Sequence, residues 1–334
     1  MALVQCSKGD WRKKGINPGQ DSLRCAPLTA KTAFMTAISP KPDILCIGSV
    51  LWDVIGRAPS HMRVGSDVPG RISRLPGGVA MNIAMTLRRF GMTPALLTAI
   101  GRDDEGQELL GQCQTMGMGT DHIYLSDDLP TDIYMAIEGA NGLVAAIADA
   151  HSLEAAGDKI LLPLKDGRLG STDAPYPGII ALDGNLTESL LSQIAQSPLF
   201  TAADLRVAPA SPGKAERLTP FLNGSGATLY VNVEEAGLLC QHQFDDADTA
   251  ARALHTRGAA RAVVTDGGRA TADIKDGDLI TATPPEVMVT RVTGAGDTFM
   301  AAHIAAEARG MFRTDALQKA LHAAAAYVSG DVPS

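Results

Sequence analysis

The feature that most restricts the fold of this chain is a repeated alternation of short apolar runs with amphipathic, helix-forming stretches, beginning at Asp43. Ile44-Leu45-Cys46-Ile47 is apolar at every position, so a strand there must be covered on both faces, and Gly48-Ser49 turns the chain out of it. The pattern then predicts a helix over 79–90 ended by Gly91, a strand over 94–100, and a helix over 104–116 ended by Gly117. Further strand runs follow at 178–183, 228–231 and 261–265, separated by stretches rich in Ala, Leu and Glu, and a helix over 314–328 closes the pattern. Strands joined by helices pair in parallel with helices on both sides, so the expected class is α/β, a central mostly parallel sheet in a three-layer arrangement.

One segment differs in kind. Residues 132–138 and 143–149 are β-capable runs around Gly139-Ala140-Asn141-Gly142, whose Asn-Gly step supplies a positive-φ turn. With 71–75 this hairpin forms either a small lid sheet, drawn from about 54–75 and 130–150, or an ordinary edge hairpin of the main sheet. No internal repeat or interdomain linker is visible, so 41–332 reads as one domain. Residues 1–40 carry Lys8, Arg12, Lys13, Lys14, Arg24 and Lys31 among Ser, Gly, Pro and Gln. A disordered leader, an organelle-targeting peptide and an over-extended start ahead of Met35 are the three readings; Asp10 and Asp21 count against targeting.

A net charge of −8 with no dense Lys/Arg cluster argues against a nucleic-acid surface. Five widely spaced cysteines without a Cys-x-x-Cys pair read as reduced and cytoplasmic. No apolar run approaches the ~20 residues of a spanning helix, so no membrane segment is expected.

Candidate chemistry concentrates in glycine turns that open helices. Thr293-Gly294-Ala295-Gly296-Asp297 precedes the helix-like Thr298-Phe299-Met300-Ala301-Ala302. Glycines let backbone N–H groups approach a ligand, and at a helix start those donors add to the macrodipole to make an anion hole. Asp297 at its lip can accept the proton of an attacking hydroxyl while the amides hold a moving phosphate; the competing reading is a plain glycine turn with an Asp cap. Gly77-Gly78 leads into a second helix, with Asn82 one turn in, able to aim its amide at hydroxyls. Asp53, after the apolar Val50-Leu51-Trp52, is placed to accept sugar hydroxyls, or else is a turn residue. Asn232 and Glu235 read as a capping box, or as groups that hold water on a phosphate-bound magnesium ion. Thr265, Gly267 and Gly268 form a strand-ending turn able to line nucleotide phosphates, and Asp183 and Asn185 share the same sheet edge. No G-x-x-x-x-G-K-[ST], complete dinucleotide fingerprint, H-E-x-x-H or G-x-S-x-G motif occurs.

In that order and spacing, Gly77-Gly78 with Asn82, Asn232 to Glu235, and Gly294-Ala295-Gly296-Asp297 resemble the PfkB/ribokinase family over roughly 43–330. The resemblance implies a ribokinase-like sheet with a β-lid and ATP-dependent phosphorylation of a primary hydroxyl. It implies Asp297 as general base, the Gly294, Ala295 and Gly296 amides as anion hole, and Asp53, Gly77, Gly78 and Asn82 as acceptor ligands, with Asp183 and Asn185 beside them. It also implies Asn232, Thr265, Gly267 and Gly268 on the nucleotide, and Glu235 reaching Mg2+ through water. Pro69-Gly70-Arg71-Ile72, Leu182-Asp183-Gly184-Asn185 and Arg291-Val292-Thr293 look most like the pseudouridine kinases of that family; ribose, adenosine or a keto-sugar are the rival acceptors. Leu51 replaces a common Asn, Ala270 a common Gly in the nucleotide turn, and Arg291 an Asp associated with a monovalent-cation site, which leaves potassium dependence open. An exposed lid edge leaves a homodimer through the lid open as well.

Overall fold

The computed structural model describes residues 41–330 apart from 64, 66 and 141. The expectations for the leader and for Asn141 therefore lie outside the described residues. The chain enters on β1 (Ile44–Ile47), runs on through Gly48 to β2 (Leu51–Arg57), and returns on β3 (Arg71–Gly77). There follow α1 (Val79–Arg89), β4 (Pro94–Leu97), β5 (Ala99–Gly101), α2 (Asp104–Thr115) and β6 (Tyr124–Ser126). The hairpin β7 (Ile133–Gly139) and β8 (Gly142–Asp149) leads to the short helices α3 (His151–Ala156) and α4 (Leu162–Lys165). The second half alternates β9 (Ile179–Asp183), α5 (Glu188–Gln196), β10 (Asp204–Ala208), β11 (Thr228–Asn232), α6 (Val233–Cys240), α7 (Ala247–Thr256) and β12 (Arg261–Thr265). It ends with β13 (Thr271–Lys275), β14 (Asp278–Ala282), α8 (Ala295–Ala308) and α9 (Arg313–Ser329).

The main sheet has eight strands in the order β14-β13-β12-β11-β10-β9-β1-β4. All neighbours from β12 to β4 are parallel, and the two pairings at the other edge, β12–β13 and β13–β14, are antiparallel. Side-chain alternation along each strand feeds two cores. Leu45, Ile47, Leu182, Val207 and Val264 pack on one face with Leu190, Phe221 and Leu254, while Ile44, Cys46, Tyr230 and Val263 pack on the other with Met81, Leu87, Met300 and Leu317. Both faces being covered explains why these strands read as unbroken apolar runs. Helix α8 is buried from Thr298 to Ala306, as befits a central element wedged between α1 and α9. Cys46, Cys113 and Cys240 are free thiols. Among the described residues no helix is long and apolar enough to cross a membrane.

The hairpin belongs to a separate four-stranded sheet, β3-β2-β7-β8, so the lid is the arrangement adopted rather than an edge hairpin of the main sheet. Three local expectations are corrected. Asp53 lies inside lid strand β2, because the chain bends at Gly48, as expected, and is already extended again from Leu51, so the residue is neither a turn nor a cap. The strand over 94–100 is broken at Thr98, and β5 pairs with β6 in a small sheet of its own. Strands β10, β13 and β14 add to the sheet. At the root of the lid Trp52 is 2% exposed, donates from Nε1 to the Glu105 carbonyl at 2.9 Å, and lies under the Arg74 guanidinium of β3, 3.8 Å from the ring centroid.

At the opposite end of the strands the core holds charge. Glu307 of α8 bridges Arg206 of β10 at 2.5 Å and Arg261 of β12 at 2.7 Å, and Arg261 is also paired with Asp273 of β13 at 2.7 Å. Burial raises the Glu307 carboxyl, but the Arg261 hydrogen bond, His303 and Arg206 outweigh it and hold the group at about 2.

Candidate active site

The Thr293–Asp297 turn is pinned before it meets any ligand. Thr290 N donates to the Val328 carbonyl at 2.8 Å, Arg291 Nε to the Tyr327 carbonyl at 2.8 Å, and the Tyr327 hydroxyl to the Thr293 carbonyl at 2.9 Å. Arg291 also stacks on Tyr327, 3.8 Å from its centroid, so the residue that replaces the familiar Asp is committed to holding this segment on α9. Gly294 is the N-cap of α8 with φ +85, a left-handed conformation, and a Cβ there would run into the Tyr327 hydroxyl at 2.6 Å. No side chain caps this helix; Ala295 N is taken up by the Val292 carbonyl at 3.0 Å, which leaves the Gly294 and Gly296 amides at the helix start for an anion, one fewer than the three amides expected from the sequence.

Asp297 sits in that first turn, half-buried, and accepts a hydrogen bond from Asn82 Nδ2 at 3.0 Å. This contact, between residues 215 apart in sequence, joins the two glycine motifs into one site. Burial pushes the Asp297 carboxyl up to about 7; the Asn82 hydrogen bond opposes that rise, and the negative charges of Asp183 and Glu235 reinforce it. A carboxyl near 7 is matched to proton transfer at neutral pH.

Asn82 is placed by the Gly77-Gly78 turn. A Cβ on Gly77 would collide with the Asp53 carboxylate, and one on Gly78, where φ is +94, with the Ser49 carbonyl. The turn therefore tucks against both β2 and the link that follows β1: at Gly78 the positive φ and the Ser49 backbone require glycine, and at Gly77 a side chain would displace the Asp53 carboxylate. Asp53 is half-buried beside Tyr134, and burial raises it to about 6. Asp183 is 0% exposed beneath the cleft, its oxygens occupied by Ser49 and Asn185. Asn185 is half-buried, with Lys214 Nζ on its Oδ1 at 2.5 Å.

On the nucleotide side Asn232 and Thr265 are register partners at the ends of β11 and β12. The capping box is formed: Glu235 N donates to Asn232 Oδ1 and Asn232 N to Glu235 Oε2, each at 2.8 Å. Burial raises Glu235 to about 7, against the pull of the Asn232 amide and with a contribution from Glu234. One 8%-exposed carboxyl is not a metal cage, and no group of three or more His, Cys, Asp or Glu able to hold an ion occurs among the described residues. That donor set suits magnesium carried in on phosphate oxygens and held through water. Gly267 has φ +57, and added Cβ atoms at Gly267 and Gly268 meet nothing within 4 Å, so this turn is open to a ligand. The structure thus brings Asn82 onto Asp297 and Gly77 against Asp53, and sets Asn232 and Thr265 on adjacent strand ends. Sequence reasoning missed Ser49 and Lys214, whose partners are remote in the chain.

Comparison with known proteins agrees with this fold. A family model described as pfkB family carbohydrate kinase matches residues 41–331. The chain is 31% identical over 272 residues to a pseudouridine kinase of Escherichia coli (strain K12), covering 78% of this chain and 82% of that protein. Among solved structures, a carbohydrate kinase from Agrobacterium tumefaciens superposes with a TM-score of 0.73 at 25% identity, covering 88% and 94% of the two chains. Arabidopsis thaliana ribokinase complexed with ribose and ATP gives 0.69 at 20% identity, covering 86% and 92%.

Proposed function

The chain belongs to the pfkB family of carbohydrate kinases, and from that premise we propose that it transfers the γ-phosphoryl group of ATP to the primary 5′-hydroxyl of pseudouridine. The class, a phosphotransferase with a hydroxyl acceptor, follows from the family; the acceptor and the residue roles are our reading. The observation that carries the roles is the Asn82–Asp297 contact at the uncapped start of α8, which puts a carboxyl raised to about 7 beside both an acceptor-side amide and an anion site.

Asp53 and Asn82 anchor hydroxyls of the acceptor over Gly77-Gly78 and aim its primary hydroxyl at Asp297. Asp297 takes the proton as that oxygen attacks, and the amides of Gly294 and Gly296 spread the charge on the transferred group, the Ala295 amide being held by the Val292 carbonyl. ATP would be held by Asn232, Thr265, Gly267 and Gly268, and Glu235 would hold a magnesium ion through water, the ion supplying charge neutralisation on the phosphates. The 31% identity to a pseudouridine kinase, together with the Leu182-Asp183-Gly184-Asn185 and Arg291-Val292-Thr293 strings, supports pseudouridine over ribose. We place the enzyme in the cytoplasm on the strength of its free thiols, and propose a homodimer through the lid, whose Ile72 and Ile147 are 77% and 69% exposed.

An ATP-coupled panel of pseudouridine, uridine, adenosine, ribose and fructose 6-phosphate tests the assignment. Pseudouridine is expected to give the highest kcat/KM. A strong preference for ribose or adenosine would overturn the acceptor while leaving the class, and ligand binding without ADP release would make the protein a sensor instead.

A further inference from the structure

Asp183, Asn185, Ser49 and Lys214 form a chain of hydrogen bonds in which every direction is determined. The Asp183 carboxylate can only accept, and Ser49 N donates to its Oδ2 at 2.8 Å with the Ser49 hydroxyl at 2.5 Å. With its proton committed there, Ser49 Oγ has two lone pairs left. They take Val79 N at 2.9 Å and Asn185 Nδ2 at 2.9 Å, so the hydroxyl is saturated. The Asn185 amide is oriented from both ends, because Lys214 Nζ donates to its Oδ1 while its Nδ2 also reaches Asp183 Oδ2 at 3.2 Å. Gly48 lets β1 press onto β9 at this point, since a Cβ there would meet the Asp183 side chain.

The far end of the chain is the start of α1. Gly78 at the N-cap offers no side-chain acceptor, leaving the first amides of the helix without local partners. Ser49 provides both: its Oγ accepts Val79 N and its carbonyl accepts Met81 N at 3.3 Å. Asn82 follows directly, and its side chain holds Asp297.

We infer that Ser49 is a positioning residue, an N-cap supplied to α1 from the link between β1 and β2, and that Asp183, Asn185 and Lys214 act through it to fix Gly77-Gly78 and Asn82 against the reacting groups. Asp183 then touches no substrate: it is the buried anchor of the relay. This inference rests on the acceptor-side reading of Asn82 given above, and its test separates the two.

Ser49→Ala, Asp183→Asn and Lys214→Met are compared with the wild-type protein by amide hydrogen exchange read by NMR and by steady-state kinetics. In Ser49→Ala the amides of Val79 and Met81 are expected to exchange at least ~10-fold faster while those of Val263 and Ile304 keep their rates. The KM for the acceptor should rise roughly 10- to 100-fold with the KM for ATP within about twofold, the range for losing a hydrogen bond to a charged group. Lys214→Met, at a half-buried position that does not threaten folding, should move the same quantities in the same direction by less, and Asp183→Asn by as much as Ser49→Ala or fail to fold. Unchanged exchange at Val79 and Met81 in Ser49→Ala, or equal rises in both KM values, would overturn the relay. If the wild-type protein phosphorylates none of the acceptors, the functional reading falls and the exchange rates alone decide the relay.

Discussion

Replacing Asp297 by Asn should abolish most turnover and at the same time stabilise the fold. The Asp297 carboxyl lies at about 7 in the fold against an ordinary 3.8, with burial as the main cause, so its ionised form is held at a disadvantage. At 1.36 kcal/mol per pKa unit this amounts to roughly 4 kcal/mol, and screening by the solvent that still reaches a half-buried group brings it to about 2. The sign is that of a raised acid. The folded protein binds the proton more tightly than the unfolded chain, so stability falls as pH rises from about 4 to about 7 and stays lower above that. Asn carries no charge and can still accept from Asn82. By calorimetry at pH 8 the variant should melt roughly 3 °C higher than the wild-type protein, with the gain fading as pH drops towards 4. ADP release should fall ~10²–10⁴-fold, the contribution of a positioned base. A variant that melts no higher at pH 8, or keeps near-full turnover, would refute the account of this carboxyl as an enclosed, poised base.

Three other outcomes are expected. Asp53→Ala should raise the acceptor KM ~10- to 100-fold without changing the ATP KM, measured by initial rates. Glu235→Gln should raise the magnesium needed for half-maximal rate ~10-fold, read from a metal titration at saturating acceptor; an unchanged requirement would return Glu235 to a capping role alone. Glu307→Gln leaves two buried guanidinium groups short of a partner and should lower unfolding free energy by ~3–5 kcal/mol in denaturant titration. Because the folded Glu307 carboxyl is depressed to about 2, its stabilisation is fully present above the ordinary 4.5 and is lost as pH falls through 2, so the wild-type advantage should disappear in acid.

The strands legible in the sequence were those covered on both faces. Ile44 to Ile47 and Ala262 to Val264 are continuous apolar runs because helices lie above and below them, and the helices over 79–90 and 104–116 were found within a residue or two because glycine closes both. Strands β10 and β13 were invisible for a physical reason. Arg206 and Asp273 break their apolar pattern, and the ion pairs that let those charges be buried are formed only by the folded chain. The site was legible where a glycine closes against a specific neighbour, at Gly77, Gly78 and Gly294. Ser49 carried no local signal: its partner Asp183 is 134 residues away, and a serine after a glycine reads as a turn.

Trp52 gives the molecule an optical handle on its own acceptor site. The sequence has two tryptophans, and Trp11 lies outside the described residues. Trp52 is the neighbour of Asp53 in β2, fixed from below by the Glu105 carbonyl and covered by Arg74 from β3. A cation resting on an indole face alters its emission, so any shift of β3 relative to β2 on acceptor binding is written into the intrinsic fluorescence. Comparing a Trp11→Phe protein with the wild type separates that signal from the emission of Trp11, and turns the lid into its own reporter without a label or a coupled enzyme.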